Sequence, residues 1–342
     1  MRIWLVGTGT VGRWLLRTFA ARAPELDRRY GFTPTLVGVA NARDGFVHRA
    51  DGLDPAALLR LLEGGGRLPD HPGVERFDDA GAGMRATEAE LLLEVSCSPR
   101  PDGEPGAAHM RDALGRGISV ATSNKWPVAL HGLELRRLAS EAEVGFRAES
   151  TVMSGTPLLS FLREGLAGAR PLELRGILNA TCNLIATRVA QGAGYEQALE
   201  EAQRAGLAEA DPSADVQGWD SVAKLLILAA LVFGHRLRPE DVERRGIGEV
   251  GAEELAAAAS GKVLKPVERL VVGEQDARMV ARTQPEGLDS ADPLAAIPGP
   301  ANALVCRCDP LGEVIVSGTG AGPQLAGQGV LSDAIALAGG RR

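Results

Sequence analysis

Lysine is scarce. Only Lys125, Lys224, Lys262 and Lys265 occur in 342 residues, so that all but four of the 37 lysines and arginines are arginine. A surface cation can be either type, and in a chain so biased lysine is expected where arginine will not serve. An ammonium group can lose its proton on burial, whereas guanidinium stays charged. Lys125 and Lys224 each sit in a polar-poor, motif-like segment and are the first candidates for proton chemistry; Lys262 and Lys265 are expected to be exposed. Cysteine is also sparse, at positions 97, 182, 306 and 308. In a chain large enough to need no cross-links these read as reduced thiols of a cytoplasmic protein. Cys306-Arg-Cys308 has no second Cys/His cluster to accompany it, so buried strand thiols are expected rather than a metal or redox pair. Positive charge is in deficit, with a formal net charge of −7, which argues against nucleic acid or an anionic membrane as partner. The longest apolar run, 225–233, falls far short of the ~20 residues that cross a bilayer. Residues 1–7 enter a buried-strand pattern with no basic region before it, so no signal peptide is expected.

What is present is a strand–helix alternation over the N-terminal third. Apolar strands read at 2–6, 36–40, 91–95 and 118–121, with helices at 11–22, 56–62, 107–116 and 133–142. That alternation predicts a parallel, doubly wound α/β sheet with helices on both faces. From about 150 the pattern becomes α+β: helices at 157–166, 183–191, 195–204 and 218–233, and strands at 172–178, 267–272, 277–282, 303–308 and 313–316. The Pro/Gly-rich stretch 283–302 reads as loop. A Gly-rich segment, Gly318-Thr-Gly-Ala-Gly322, precedes a last helix near 325–338. The expected division is a nucleotide-binding domain over 1–148, a central domain over 149–316, and a C-terminal loop and helix over 317–342 that returns to the first domain.

Gly7-Thr8-Gly9-Thr10-Val11-Gly12 fits G-x-G-x-x-G. It follows an apolar strand and opens an amphipathic helix, the context in which this pattern binds a dinucleotide pyrophosphate. The second strand ends at Asn41-Ala-Arg43, where an NAD-selective site usually places Asp or Glu on the ribose 2′-hydroxyl. Asn41 carries no charge to repel a 2′-phosphate and Arg43 could contact one, or could be a solvated loop residue. NADP(H) is favoured, with NAD(H) as the alternative.

Lys125 lies just past a strand, at the carboxyl edge where doubly wound folds bind ligands. Lys224 sits in a helix apolar nearly all round, with Asp220 one turn earlier on the same face. Burial lowers the pKa of an amine by up to about 3–5 units and an adjacent carboxylate restores it, so such a pair makes a tunable proton donor. An exposed i,i+4 pair would contribute only ~0.3–0.5 kcal/mol and would be out of place in so apolar a helix. Upstream lie Glu209, Asp211 and Asp215, carboxylates suited to an α-ammonium group; a solvated loop or a divalent metal site is the competing reading.

Taken in order, these segments resemble homoserine dehydrogenase over almost the whole length. Gly103-Glu-Pro-Gly106 with His109, and Ser123-Asn-Lys125-Trp-Pro-Val-Ala129, are similar to that family's G-E-P and T-x-N-K-x-P-x-A. Glu149-Ser-Thr-Val152-Met-Ser-Gly155-Thr-Pro157 resembles E-x-x-V-x-x-G-x-P, and Gly176-Ile-Leu-Asn179-Ala-Thr181-Cys-Asn183 resembles G-I-x-N-G-T-x-N. Residues 205–224 resemble A-x-x-G-x-A-E-x-D-P-x-x-D-x-x-G-x-D-x-x-x-K. Departures are Ala180 for the usual Gly, Cys182 for a small polar residue or Thr, and Pro323 and Ala326-Gly327 in the C-terminal loop.

The resemblance implies interconversion of L-homoserine and L-aspartate 4-semialdehyde with NAD(P)H, in the threonine, methionine and isoleucine branch of amino-acid biosynthesis. It implies that Lys125 and Lys224 flank the reacting carbonyl, that Glu209, Asp215 and Asp220 hold the substrate's polar groups, and that Thr181 lies against it. It places the cofactor on Gly7, Thr8, Gly9, Thr10, Val11, Gly12, Asn41, Arg43, Ser98, Lys125 and Gly320. A monovalent cation, Na+ or K+, would be held by Glu149 and the carbonyls of Val152, Ser154 and Thr156. A homodimer formed through the second domain's sheet is implied, without the regulatory amino-acid-binding domain of many bacterial relatives, so feedback through such a domain is not expected. The competing functions are a related amino-acid dehydrogenase on another small carbonyl substrate, and a non-catalytic NADPH-binding sensor.

Overall fold

The computed structural model describes residues 1–208, 211–250, 260–273 and 278–340. The chain divides into two compact units, residues 1–155 with 323–342 and residues 156–322. In unit 1 the strands are β1 (Arg2–Val6), β2 (Thr35–Asn41), β3 (Gly45–His48), β4 (Glu75–Phe77), β5 (Leu91–Glu94), β6 (Ser119–Thr122) and β7 (Phe146–Arg147). They form one sheet of order β4-β3-β2-β1-β5-β6-β7. The pairs β1–β2, β1–β5, β5–β6 and β6–β7 are parallel. Ile3, Trp4 and Leu5 in β1 and Leu91, Leu92 and Leu93 in β5 are fully buried, the near-continuous apolar run that strands covered on both faces require. Because β2 and β5 lie on opposite sides of β1, the strand order reverses there and opens a crevice at the strands' carboxyl ends.

Helix α1 (Thr10–Tyr30) buries Leu15, Leu16, Phe19 and Leu26 and ends at Gly31, whose φ of 62° gives the left-handed cap that favours glycine. It runs past Pro24, well beyond the helix expected at 11–22. Helices α2 (Pro55–Glu63), α3 (Ala80–Ala86), α4 (Gly106–Gly115), α5 (Lys125–Glu141) and α6 (Ser150–Met153) follow. Two features differ from expectation. Strand β3 adds antiparallel to the edge beside β2 because the short turn 42–44 folds the chain straight back, and β4, after α2, adds antiparallel to β3. Helix α5 begins at Lys125 rather than near 133, so Lys125 stands at a helix N-terminus and not in a loop.

Unit 2 begins with α7 (Leu158–Ser160), followed by a turn of π-helix, and continues through β8 (Arg170–Ile177), α8 (Ala180–Ala190), α9 (Tyr195–Arg204), α10 (Ser213–Val216) and α11 (Trp219–Leu231). Strands β9 (Val242–Arg244), β10 (Val263–Val272), β11 (Met279–Leu288), β12 (Asn302–Asp309) and β13 (Gly312–Gly318) complete a sheet of order β13-β12-β8-β10-β11-β9. Its pairs are antiparallel except β9–β11. β11 runs to Leu288, so residues 283–288, expected as loop, are strand: Met279, Ala281 and Thr283 face inward in strand alternation while Val280 faces out. The final helix, α12 (Pro323–Ala338), belongs to unit 1, where Val330, Leu331, Ala334 and Leu337 join the core of Leu15, Leu16 and Phe19.

Lys265 corrects another expectation. Lys262 is exposed, but Lys265 is only 3% exposed. It shares a strand face with Val267, which packs against Leu294 and Ala303, so no solvent reaches that position. Its Nζ donates to Asn183 Oδ1 at 3.1 Å and to the Ile297 carbonyl, and burial pushes its pKa down. Cys306 and Cys308 are buried in β12, with the Cys306 thiol pushed up to about 12 by burial and by its neighbour Cys308.

Candidate active site

The crevice of unit 1 is a cavity of about 850 Å³ lined by Gly7, Thr8, Gly9, Arg13, Asn41, Arg43, Arg85, Ser96, Cys97 and His109, among others. The loop that forms its floor requires glycine at two positions, Gly7 and Gly12. Gly7 has φ +110°, and a Cβ there would lie 2.7 Å from Ser96 N. A Cβ on Gly12 would lie 2.0 Å from Gly7 O, whereas one on Gly9 would meet nothing within 4 Å. Thus Gly7 and Gly12 let strand, turn and helix close on one another, and Gly9 leaves an opening at the N-terminus of α1, where free N–H groups and the helix dipole favour a phosphate. Thr10 opens α1, and Val11 packs half-buried against the core. A dinucleotide fits this cradle.

Where β2 ends, Asn41 Nδ2 donates to Thr8 Oγ1 and to Asp44 Oδ2, each at 3.1 Å. Burial pushes the Asp44 carboxyl up, but donors from Arg67 (2.6 Å), the Leu68 N–H (3.1 Å), Asn41 and Arg43 (3.2 Å) outweigh it and hold Asp44 far below the usual carboxylate range. Asp44, the acid nearest the end of β2, is therefore saturated by protein donors. Arg43 also donates to the Gly66 carbonyl at 2.9 Å and is fixed on the cavity wall.

Ser98, assigned by resemblance to the cofactor, is 2% exposed and structural in its contacts. Its Oγ accepts from Gly106 N at 3.1 Å and Asn124 Nδ2 at 2.9 Å, and its N–H donates to Asn124 Oδ1. Ser96 and Cys97, not Ser98, line the cavity. Asn124 stands immediately before Lys125, so this lattice sets where α5 starts; Lys125 itself is half-buried. Sequence reasoning missed the acid behind it. Glu94, fully buried at the end of β5, accepts from Ser96 N and Asn124 Nδ2, and its Oε2 lies 2.8 Å from His109 Nδ1. His109 is thereby fixed with its ring on the cavity wall.

Unit 2 gathers a second cluster where β8 ends. Lys224 Nζ lies 2.6 Å from Asp220 Oδ2 and donates to the Leu178 carbonyl at 2.6 Å. Both side chains are nearly buried, in a helix whose residues from 220 to 230 are all buried. Asn179 joins the carboxylates: its Nδ2 donates to Asp215 Oδ1 at 2.8 Å and to Asp220 Oδ2 at 2.9 Å, while its Oδ1 caps α8 by accepting from Cys182 N. Thr181 is buried beside it, with Oγ1 donating to the Leu207 carbonyl at 2.9 Å. Asp211 is not part of the cluster; it is exposed, and hydrogen bonds from the Ser213 side chain and from Ser213 N in the turn into α10 hold its carboxyl below the usual range. Glu209 lies outside the described residues. Among the described residues no group of three or more His, Cys, Asp and Glu could hold a metal ion.

Beneath the cluster is a group that the sequence reading did not single out. Glu268 on β10 is 1% exposed; its Oε2 accepts from Leu178 N at 2.8 Å and its Oε1 from Ser221 Oγ. Burial pushes its pKa up to about 7 against the opposing pull of those donors and of Lys224.

The remaining assigned residues are dispersed between the units. Glu149 is buried at the start of α6, its N–H donating to Asp333 Oδ2 at 2.8 Å, and Val152 lies within α6. Ser154 has φ 53°, and its carbonyl lies 2.6 Å from where a Cβ on Gly329 would stand. Thr156 and Gly320 belong to unit 2; Gly320 has φ +94°, and a Cβ there would meet the Pro300 carbonyl at 2.2 Å.

Unit 1 thus carries a glycine cradle that fits a dinucleotide, and unit 2 a buried Lys–Asp pair flanked by carboxylates. A sequence profile of the family described as homoserine dehydrogenase matches residues 157–335. The chain is 36% identical to an NAD(+)-dependent homoserine dehydrogenase of Pseudomonas canavaninivorans, over 98% of this chain and 95% of that one. It is 31% identical to the homoserine dehydrogenase of Methanocaldococcus jannaschii, over 98% of each. A solved hyperthermophilic archaeal homoserine dehydrogenase in complex with NADPH superposes with a TM-score of 0.83 at 32% identity, over 98% of this chain and 97% of that one. The chain belongs to the homoserine dehydrogenase family.

Proposed function

We propose that the protein oxidises L-homoserine to L-aspartate 4-semialdehyde, and catalyses the reverse reduction, with NADP(H) preferred over NAD(H) and with Lys224 as the proton-transfer group. The observation that carries this reading is the Lys224–Asp220 contact of 2.6 Å inside a wholly buried stretch of helix, with Leu178 O completing the grip on Nζ. The bound dinucleotide supplies the hydride acceptor in oxidation and the hydride donor in reduction. Lys224 Nζ takes the hydroxyl proton of homoserine as its C–H bond breaks, and returns it to the carbonyl oxygen in reduction. Asp220 and the Leu178 carbonyl fix the direction of that transfer. Asp215 and Asp220, bridged by Asn179, supply the negative field that receives the substrate's α-ammonium, with Glu209 assigned to the same task and Thr181 beside it. Lys125, at the first turn of α5, stabilises the negative charge that develops on the reacting oxygen.

Saturation of Asp44 supports the NADP preference: an acid already holding two arginines, a backbone N–H and an amide has little capacity left for a ribose hydroxyl. Arg13, Arg43 and Arg85 on the cavity wall favour a further phosphate. A monovalent cation suits Glu149 with the carbonyls of Val152 and Ser154, a hard-oxygen donor set, and Thr156 is the fourth group assigned to it. The enzyme is assigned to the cytoplasm, as a homodimer through the sheet of unit 2. The test is homoserine-dependent formation of reduced cofactor at 340 nm, with NAD+ and NADP+ at matched concentrations. The reading expects absorbance to rise only when homoserine is present, and more with NADP+. No rise with either cofactor would overturn the function, and a larger rise with NAD+ would overturn the preference.

A further inference from the structure

Lys224 is gripped through Leu178, and Leu178 is gripped in turn from behind. Its carbonyl accepts from Lys224 Nζ and its N–H donates to Glu268 Oε2. Glu268 reaches back to helix α11 through Ser221 Oγ, one turn before Lys224 on the same helix. A loop of contacts thus closes: Lys224, Leu178, Glu268, Ser221, and α11 back to Lys224.

We infer that Glu268 is a positioning residue for the proton transfer, a second carboxylate behind the site that holds Leu178 against Lys224 and adds its charge to the field at Nζ. The inference rests on the reading of Lys224 as proton-transfer group. Three observations carry it. First, Glu268 is inaccessible, at 1% exposure, so its charge is not dissipated by water and acts at short range. Second, both of its oxygens have partners that tolerate either protonation state. Ser221 Oγ donates to the carboxylate and can accept from the carboxylic acid, so Glu268 can gain or lose a proton without a rearrangement that would disturb Leu178. Third, the charge balance around it is strongly local. Helix α11 presents Asp220, Ser221 and Lys224; α8 presents Cys182, whose thiol burial pushes well above its ordinary value and keeps neutral, with Asp215 of α10 beside that thiol. Its strand partners, Gly176 on β8 and Thr283 on β11, bring no titratable group. Among the described residues Lys224 is thus the cation that faces Glu268, and each change in the charge of Glu268 is felt there. The rise in the Glu268 pKa to about 7 agrees with a group poised to change charge in the working range.

The test is the pH profile of kcat for homoserine oxidation by the full chain, comparing wild type with Glu268→Gln, Ser221→Ala and Lys224→Arg. Glu268→Gln keeps an acceptor for the Leu178 N–H and a donor for Ser221 but removes the charge. The rising inflection of its kcat profile is expected to move to lower pH by about one unit, with KM for homoserine within about threefold of wild type, since no substrate contact is lost. Ser221→Ala, a mild change should the first variant fold poorly, withdraws a donor that favours the Glu268 carboxylate and is expected to move the inflection the same way by a smaller amount. Glu268→Asp, which restores a carboxylate, should recover part of the shift. Inflections that coincide with wild type in Glu268→Gln or Ser221→Ala, while Lys224→Arg is inactive, would overturn the role of Glu268 alone. Near-normal turnover by Lys224→Arg would overturn this inference together with the reading on which it rests.

Discussion

Glu268 should leave a signature in stability as well as in catalysis. Its pKa is raised from its ordinary value of 4.5 to about 7. Between those two values the folded protein binds more protons than the unfolded chain, so stability falls as pH rises through that window and levels off above it. The full shift corresponds to roughly 3 kcal/mol at alkaline pH, of which under 1 kcal/mol is already felt at pH 5 and nearly all at pH 8. Glu268→Gln removes the titration while keeping both hydrogen bonds. Whatever the variant costs at pH 5, it should gain about 2–3 kcal/mol on wild type between pH 5 and pH 8. Unit 2 carries its own reporters: Cys182, Cys306 and Cys308 are buried there, whereas Cys97 is exposed in unit 1. Pulse labelling with a pyridyl disulfide along a urea series, in a Cys97→Ser background, therefore reads the opening of unit 2 at each pH. A wild type and variant separated by the same free energy at pH 5 and pH 8 would refute the reasoning, because it would mean that Glu268 does not titrate differently in the folded chain.

Two further outcomes follow from burial and close approach. Gly12→Ala would drive a Cβ to 2.0 Å from Gly7 O, forcing the phosphate loop off α1; NADPH binding measured by calorimetry should weaken more than tenfold (about 1.4 kcal/mol), and an unchanged Kd would contradict the cradle. Lys265 has a lowered pKa from burial, so below the unfolded value of about 10.4 the unfolded chain binds more protons and stability rises with pH through that window. Lys265→Met should abolish this contribution and, by orphaning Asn183 Oδ1 and the Ile297 carbonyl, cost about 1–3 kcal/mol at pH 9; urea midpoints that track wild type from pH 7.5 to 9.5 would count against it.

Much of the site was legible because its residues are consecutive or one helical turn apart. The glycine spacing from Gly7 to Gly12 and the i,i+4 relation of Asp220 to Lys224 are local patterns, and local geometry is what periodicity encodes. Glu268 and Glu94 were not legible for the opposite reason. Each is a single acid in an apolar strand, and its partners are supplied by chain far away: Leu178 and Ser221 for one, His109 and Asn124 for the other. Lys265 was misread likewise, since its cover comes from distant chain, Asn183 on α8 and the segment around Leu294 and Ile297. Asp44 illustrates a third limit: its acid type would suggest a ribose contact, and only the fold reveals that Arg43, Arg67 and Leu68 N already occupy it. The edge strands β3 and β4 were missed because they are short and lack the long apolar run that marks a strand buried on both faces.

The central claim is that Lys224 moves the proton. Lys224→Arg keeps the positive charge beside Asp220 but replaces a titratable amine with a group that does not deprotonate at working pH. Turnover of homoserine by this variant, measured at 340 nm on protein shown by thermal unfolding to be as stable as wild type, tests the claim most directly. The account predicts a fall in kcat of at least about a hundredfold, the scale of general acid–base catalysis, with NADPH binding unchanged; a kcat within a few-fold of wild type would contradict it.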